Sequence, residues 1–291
     1  MNNRNEYMRR VEQKEKGTIL WLTGWSMTDA VFDLLRERLP DYQHLSLDYS
    51  AVSTPEDMLD IVETTAKWLS RAVRSNRLDE GAAHGDIGMP ELFHVLKGAC
   101  GENVPRAPLL ISGWSMGAVL ALGLAAKGYA DGLVLFSATA RFVRDKKELS
   151  LGVHDAYVRQ MMRDIAKDYQ PDVESRFRKM MFTAREGEMG YADRLPPAGC
   201  WTPEALLAGL QILRYEDHLP DLARIDCPVL LFHGHEDKIC PYDAGVELLD
   251  RLPRARLVTL NDRGHAVFLG EEVRIEKEWR RWWHEHKQEL G

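Results

Sequence analysis

Long apolar runs are missing from this chain. Nowhere in its 291 residues does an uninterrupted apolar stretch approach the length of about eighteen that a membrane-crossing helix needs. The opening Met1–Lys16 segment is polar and charged, without the apolar centre of a secretory signal. Together these features predict a soluble, intracellular and cytoplasmic protein with no membrane partner. Cysteine is scarce. The four cysteines (Cys100, Cys200, Cys227 and Cys240) are widely spaced and form no CxxC pair, so reduced thiols are expected in a chain large enough to need no covalent staple. Cys227 and Cys240 flank a predicted strand and its loop, which leaves a disulfide or metal role for them as the alternative. A basic excess is also lacking: 38 Lys and Arg stand against 45 Asp and Glu, a net charge of −7, which argues against a general nucleic-acid binder. No internal repeat, low-complexity tract or long linker is evident.

What is present is a globular composition, 45% hydrophobic and 29% charged, in a length that suits one large core with an inserted subdomain. Short apolar runs bounded by Gly, Pro, Asp or Ser recur at Thr18–Leu22, His44–Leu47, Leu109–Ser112, Gly132–Phe136, Val229–Phe232 and Arg256–Leu260, and these read as strands. Helical patterns lie between several of them, at Ala30–Leu39, Pro55–Val73, Met116–Lys127 and Ala244–Leu252. Such alternation predicts an α/β fold, a mostly parallel sheet flanked by helices, with its functional loops at the carboxyl ends of the strands. Two segments interrupt the pattern. Ser75–Pro108 reads as an insertion with a short helix in Pro90–Lys97, and residues 141–220 hold helical patterns without a convincing strand. The expected organisation is a polar extension over residues 1–17, a core of residues 18–140 and 221–291, and a helical cap over residues 141–220.

The chemistry concentrates at Gly113-Trp114-Ser115-Met116-Gly117, which follows the apolar run Leu109–Ser112 and opens a helix of small and apolar residues. Gly-x-Ser-x-Gly in that setting is the nucleophile elbow, a strand-to-helix turn tight enough that the glycines avoid Cβ clashes while the serine projects beside free helix N–H groups. The bare pattern also arises by chance as a Gly-rich structural turn. A serine hydroxyl attacks well only when a base takes its proton, so a histidine and a carboxylate should follow in the order Ser, acid, His. Gly234-His235-Glu236-Asp237 ends the Val229 strand and offers Asp237 as the favoured acid, with Glu236 as the alternative. Gly264-His265 follows the last strand, which makes His265 the base. His233 and His235 alternate on a strand end as a conceivable metal pair, but no third ligand has suitable spacing and a structural role is the commoner one. This mechanism needs no metal or organic cofactor.

The elbow, the loop Thr23-Gly24-Trp25-Ser26, the Gly234–Asp237 loop and Gly264-His265-Ala266 resemble the α/β-hydrolase superfamily over most of Thr18–Ala140 and Leu219–Trp283. Trp25, Trp114, Ser137-Ala138 and Leu210–Leu213 followed by Asp217 and Leu219 further resemble the pimeloyl-[acyl-carrier protein] methyl ester carboxylesterases of biotin synthesis. That resemblance implies a serine carboxylesterase acting on a short carrier-bound methyl ester, with the backbone N–H groups of Trp25 and Met116 as the oxyanion hole. Two departures stand out: Thr23 occupies a place where these relatives usually carry His, and the Ser75–Pro108 insertion is longer than theirs. A general carboxylesterase or thioesterase of small acyl substrates is the alternative within the same chemistry, and a non-catalytic binding protein of the same fold is the rival from another class.

Charge in the predicted cap bears on the substrate. Arg141–Arg185 holds eleven Lys or Arg against seven Asp or Glu, while the rest of the chain is acidic. Arg159, Arg163 and Lys167 recur along one helical face, with Arg141 and Arg144 at the entry to the cap. A basic cap suits an acidic acyl carrier protein as partner. The competing reading is an ordinary solvated helix with Asp155–Arg159 and Asp164–Lys167 pairing locally. Phe142, Tyr157, Met161, Met162 and Phe182 are candidates to line an acyl channel, or to pack the cap.

Overall fold

The computed structural model describes residues 17–78, 95–97 and 105–287. The first strand, β1 (Thr18–Leu22), is buried at every position, because its Ile, Leu and Trp side chains are covered on both sheet faces. It is followed by a 3₁₀ turn (Asp29–Phe32), α1 (Asp33–Arg36), β2 (Gln43–Leu47), α2 (Pro55–Leu78) and the two-residue β3 (Leu96–Lys97). Then come β4 (Leu109–Trp114), α3 (Met116–Ala126) and β5 (Gly132–Phe136). The sheet order is β3-β2-β1-β4-β5-β8-β9, where β8 (Val229–Gly234) and β9 (Ala255–Leu260) complete the far edge. All pairings are parallel except β2 with β3. The chain leaves β1 toward β2 and returns on its other side as β4, so the carboxyl ends of β1 and β4 form a switch point, the place where open α/β sheets carry their ligand sites.

Every residue of β4, β5 and β8 is buried, and α3, with nine buried residues, packs on β4, β1 and β5. The small residues of α3 make that approach feasible. A Cβ at Gly117 would lie 2.0 Å from the Leu22 carbonyl oxygen, and one at Gly113 would lie 2.4 Å from the Gly117 carbonyl oxygen. Helix α8 (Tyr242–Arg251) connects β8 to β9, and α9 (Glu272–His286) buries Ile275, Trp279, Trp282 and Trp283.

Between β5 and β8 lie α4 (Asp155–Ile165), α5 (Gln170–Met180), α6 (Ala184–Glu188) and α7 (Pro203–Tyr215), with 3₁₀ turns at Tyr191–Arg194 and Leu219–Arg224. Three expectations change in detail. The segment from residue 141 to 220 does contain strand pairing, a short parallel ladder of β6 (Val143–Arg144) with β7 (Val153–His154) that two-residue periodicity cannot reveal. The helix expected over Ala30–Leu39 is a 3₁₀ turn and one α-turn, because Pro40 disfavours helical backbone at the residue before it. Leu96–Lys97 is an edge strand rather than the end of a helix, and the Lys97 ammonium reaches Asp48 at 2.7 Å. Most of the Ser75–Pro108 insertion, Cys100 and the Met1–Lys16 extension lie outside the described residues. Among the described residues, no helix is long and apolar enough to cross a membrane.

Candidate active site

The turn at Ser115 forms at the end of β4, which runs two residues past the predicted strand limit at Ser112. Ser115 has φ 56° and ψ −115°, a conformation that costs a non-glycine residue energy and persists only where its surroundings impose it. Here the surroundings are the Gly113 and Gly117 close approaches and a bond from the Ser115 amide to the Phe136 carbonyl at 3.1 Å. The β1 loop lies over the same point: a Cβ at Gly24 would fall 3.4 Å from the Ser115 Cβ.

His265 Nδ1 lies 2.8 Å from Asp237 Oδ2, and both side chains are fully buried. Asp237 Oδ1 accepts from the Ile239 and Cys240 amides at 2.8 and 2.9 Å. Burial would raise the Asp237 pKa, but His265, His233 and these amide donors outweigh it and hold the carboxyl below its ordinary value. Glu236, the alternative acid, is exposed. Because Nδ1 faces a carboxylate, it carries the proton, and Nε2 is left as the basic nitrogen. Nε2 is buried and has no hydrogen-bond partner in the structure.

The surroundings of His265 were only partly legible in the sequence. Its carbonyl accepts from Trp114 Nε1 at 3.0 Å and Ser137 Oγ at 2.8 Å, and its amide donates to the Met181 carbonyl at 2.7 Å. The preceding Gly264 amide donates to Glu186 Oε2 at 3.0 Å. Residue spacing reveals none of these four contacts, because each joins residues far apart in the chain. The buried Cys240 thiol sits beside the Ser115 hydroxyl; burial and Asp237 push its pKa well up, and Ser115 opposes that rise. His233 lies beside Asp237, its Nε2 3.6 Å from Oδ2. Its Nε2 lies 2.8 Å from the Cys240 carbonyl, which can only accept, so that nitrogen is protonated.

Of the two amides assigned to an oxyanion hole, Met116 N is the first of its helix and so lacks an intrahelical acceptor. Trp25 is fixed by its indole, which donates to the Leu206 carbonyl at 2.8 Å, while its ring meets Phe177 edge-on at 5.0 Å. Phe177 also faces the His265 ring, with centroids 6.5 Å apart. It is an apolar neighbour of His265 that residue spacing does not reveal. Phe142, Met161 and Phe182 are buried in the continuous hydrophobic core, and Tyr157 is exposed. Thr23, in the departing position, bonds the buried Tyr49 hydroxyl through its own hydroxyl at 3.1 Å and its carbonyl at 2.6 Å.

The basic residues separate into two groups. Arg144, expected at a carrier surface, has a side chain only 1% exposed and pairs with Glu247, so its charge is committed inside the protein. Arg141 joins Glu148 at 3.0 Å and Asp217 at 3.3 Å. Arg159 and Arg163 remain exposed on α4, the first paired with Asp155 at 3.0 Å and the second bonded to Gln160 at 2.6 Å. Asp164 takes Arg176 from the next helix at 2.9 Å, in place of the local pair with Lys167 that the competing solvated-helix reading holds.

A model of the serine aminopeptidase S33 family matches residues 90–272. The chain belongs to this α/β-hydrolase family. The hydrolase is 31% identical over 251 residues to the pimeloyl-[acyl-carrier protein] methyl ester esterase of Neisseria meningitidis serogroup B, covering 84% of each chain. It is 35% identical over 169 residues to the protein of the same name from Nitrosomonas europaea, covering 55% of this chain and 65% of that one. An esterase from Exiguobacterium antarcticum shares the fold, with a TM-score of 0.66 over 92% of each chain at 17% identity. A hydrolase from Oleispira antarctica does likewise, with a TM-score of 0.66 over 94% of this chain and 96% of that one at 12% identity. The hydrolase is an enzyme of the carboxylesterase type.

Proposed function

We propose that this hydrolase is a cytoplasmic serine carboxylesterase in which Ser115, His265 and Asp237 form a catalytic triad. The observation that carries the reading is the buried pairing of His265 with Asp237 at 2.8 Å, which leaves Nε2 as the free basic nitrogen, together with the strained Ser115 elbow at the end of β4. Ser115 attacks the ester carbonyl as His265 Nε2 takes its proton, and Asp237 stabilises the imidazolium that results. The Met116 and Trp25 amides donate to the developing oxyanion. Collapse expels the alcohol, which receives the proton from His265. Water, deprotonated by the same imidazole, then releases the acid and restores Ser115.

The substrate we propose is a short methyl ester, pimeloyl on an acyl carrier protein in biotin synthesis, with residues 141–220 acting as a cap over the crevice. The printed names of the relatives and the exposed Arg159 and Arg163 support it. A carboxylesterase of free small acyl esters is the second reading, favoured by the ion pairs that engage Arg141 at the surface and Arg144 in the interior. Fluorophosphonate labelling tests the chemistry: the folded enzyme should be modified at Ser115, and an unmodified Ser115 would remove the reading. Turnover of a carrier-bound methyl ester against a p-nitrophenyl ester tests the substrate. Reversing charge at Arg159 and Arg163 should lower the first rate and spare the second, and equal effects would favour the free-ester reading.

A further inference from the structure

Glu186 is a buried carboxylate that the mechanism above does not use. It lies on α6 with its side chain 2% exposed, and its Oε2 accepts two amide hydrogens, from Thr183 at 2.9 Å and from Gly264 at 3.0 Å. The first bond closes a capping box, in which the Thr183 hydroxyl accepts in return from the Glu186 amide at 3.1 Å. A capping box by itself requires nothing beyond its own helix. The second bond leaves α6 and fastens the residue immediately before His265, while Arg263 Nη1 approaches Glu186 Oε1 at 3.6 Å from the same loop. Gly264 is pressed against this clamp: a Cβ there would meet the Met181 carbonyl oxygen at 2.4 Å and Glu186 Oε2 at 3.1 Å. The Met181 carbonyl in turn accepts the His265 amide at 2.7 Å. Three successive loop residues are therefore held by one short stretch of the segment between β5 and β8.

Burying an ionised carboxylate is costly unless donors compensate it, and a neutral Gln would serve the capping box equally well. What a carboxylate adds is charge-assisted bonding, roughly twice as strong as its neutral counterpart, toward the Gly264 amide. We propose that Glu186 is a positioning residue for the catalytic base, fixing the 263–265 loop so that the His265 imidazole is presented to Ser115. The inference rests on His265 being that base.

The test uses the full chain and a p-nitrophenyl ester, with Glu186→Ala, Glu186→Gln and Thr183→Val compared for kcat, KM and thermal midpoint. Thr183→Val removes the hydroxyl half of the capping box and leaves the amide bond to Glu186 in place, so it reports the purely structural cost. The expected result is a graded series at KM within about twofold of the parent: kcat lower by roughly three- to tenfold in Glu186→Gln and ten- to a hundredfold in Glu186→Ala, as charge-assisted and then all bonding to Gly264 is lost. Thr183→Val should fall in thermal midpoint while its kcat stays within twofold. Parental kcat in both Glu186 variants, or an equal fall in kcat in Thr183→Val and Glu186→Ala, would overturn the proposal. Should Glu186→Ala not fold, parental kcat in Glu186→Gln overturns it alone. Ser115→Ala serves as the control: if turnover survives there, the catalytic reading has failed, whereas its loss beside a flat Glu186 series defeats only the positioning role.

Discussion

The Trp114 indole donates to the His265 carbonyl at 3.0 Å, so the residue preceding Ser115 also holds the backbone of His265. The ring is fully buried between Phe268, at 5.1 Å edge-on, and the His265 imidazole, at 5.6 Å. Trp114→Phe keeps much of that packing and removes the donor. The expected outcome is a stability loss of about 1 kcal/mol with kcat down roughly tenfold, the carbonyl retaining Ser137 alone. Steady-state kinetics beside urea unfolding would check it, and an unchanged kcat would show that Ser137 suffices.

Asp237→Asn should leave the loop folded, because an amide oxygen can still accept from the Ile239 and Cys240 amides. The amide can instead donate to His265 Nδ1 and so favour the wrong tautomer, with the proton on Nε2, where it cannot serve as base. By analogy with other triads, kcat should fall roughly 10⁴-fold with KM little changed. A fall of less than about tenfold would mean that Asp237 does not orient the base.

Arg144 and Glu247 give a prediction about stability alone. Removing one partner of a buried pair strands the other, so Arg144→Met should cost about 3 kcal/mol, moderated by Arg251 at 3.5 Å from Glu247. The double variant Arg144→Met with Glu247→Leu should recover most of it. Urea midpoints for the single and double variants measure both, and a double variant no better than the single would contradict the stranded-charge argument.

Acid sensitivity follows from His233. Burial lowers its pKa below the ordinary imidazole value of about 6.5, against an opposing pull from Asp237. A group whose folded pKa is depressed binds its proton more readily when unfolded, so its contribution is complete above about pH 6.5 and is lost as pH falls toward the folded value. Stability should therefore decline from pH 7.5 to pH 5.5, and less steeply in His233→Gln. A parallel decline in the variant would assign the acid sensitivity to other groups, such as the half-buried His44 and His218, whose pKa values partial burial also lowers.

Much of the fold could be read directly from residue patterns. Strands buried on both faces must be continuous apolar runs, and the turn at Ser115 must be lined with glycines because Gly113 and Gly117 leave no room for a Cβ. The loops bearing Asp237 and His265 were found by their order behind those strands. Less legible were the β6–β7 ladder, too short to carry a period, and the fate of Arg144, whose exposure depends on a carboxylate about a hundred residues away.

By itself the sequence determined the strand–helix alternation, the glycine-lined turn at Ser115 and the places of Asp237 and His265 in the loops behind their strands, since these depend on local sterics and on chain order. Only the tertiary structure decided which side chains support them: Trp114, Ser137, Met181 and Glu186 around the His265 loop, Phe177 beside its ring, and Glu247 against Arg144. The reason is range. A hydrogen bond or a buried ion pair acts over about 3 Å of space, and chain distance carries no information about which distant residues folding will bring within it.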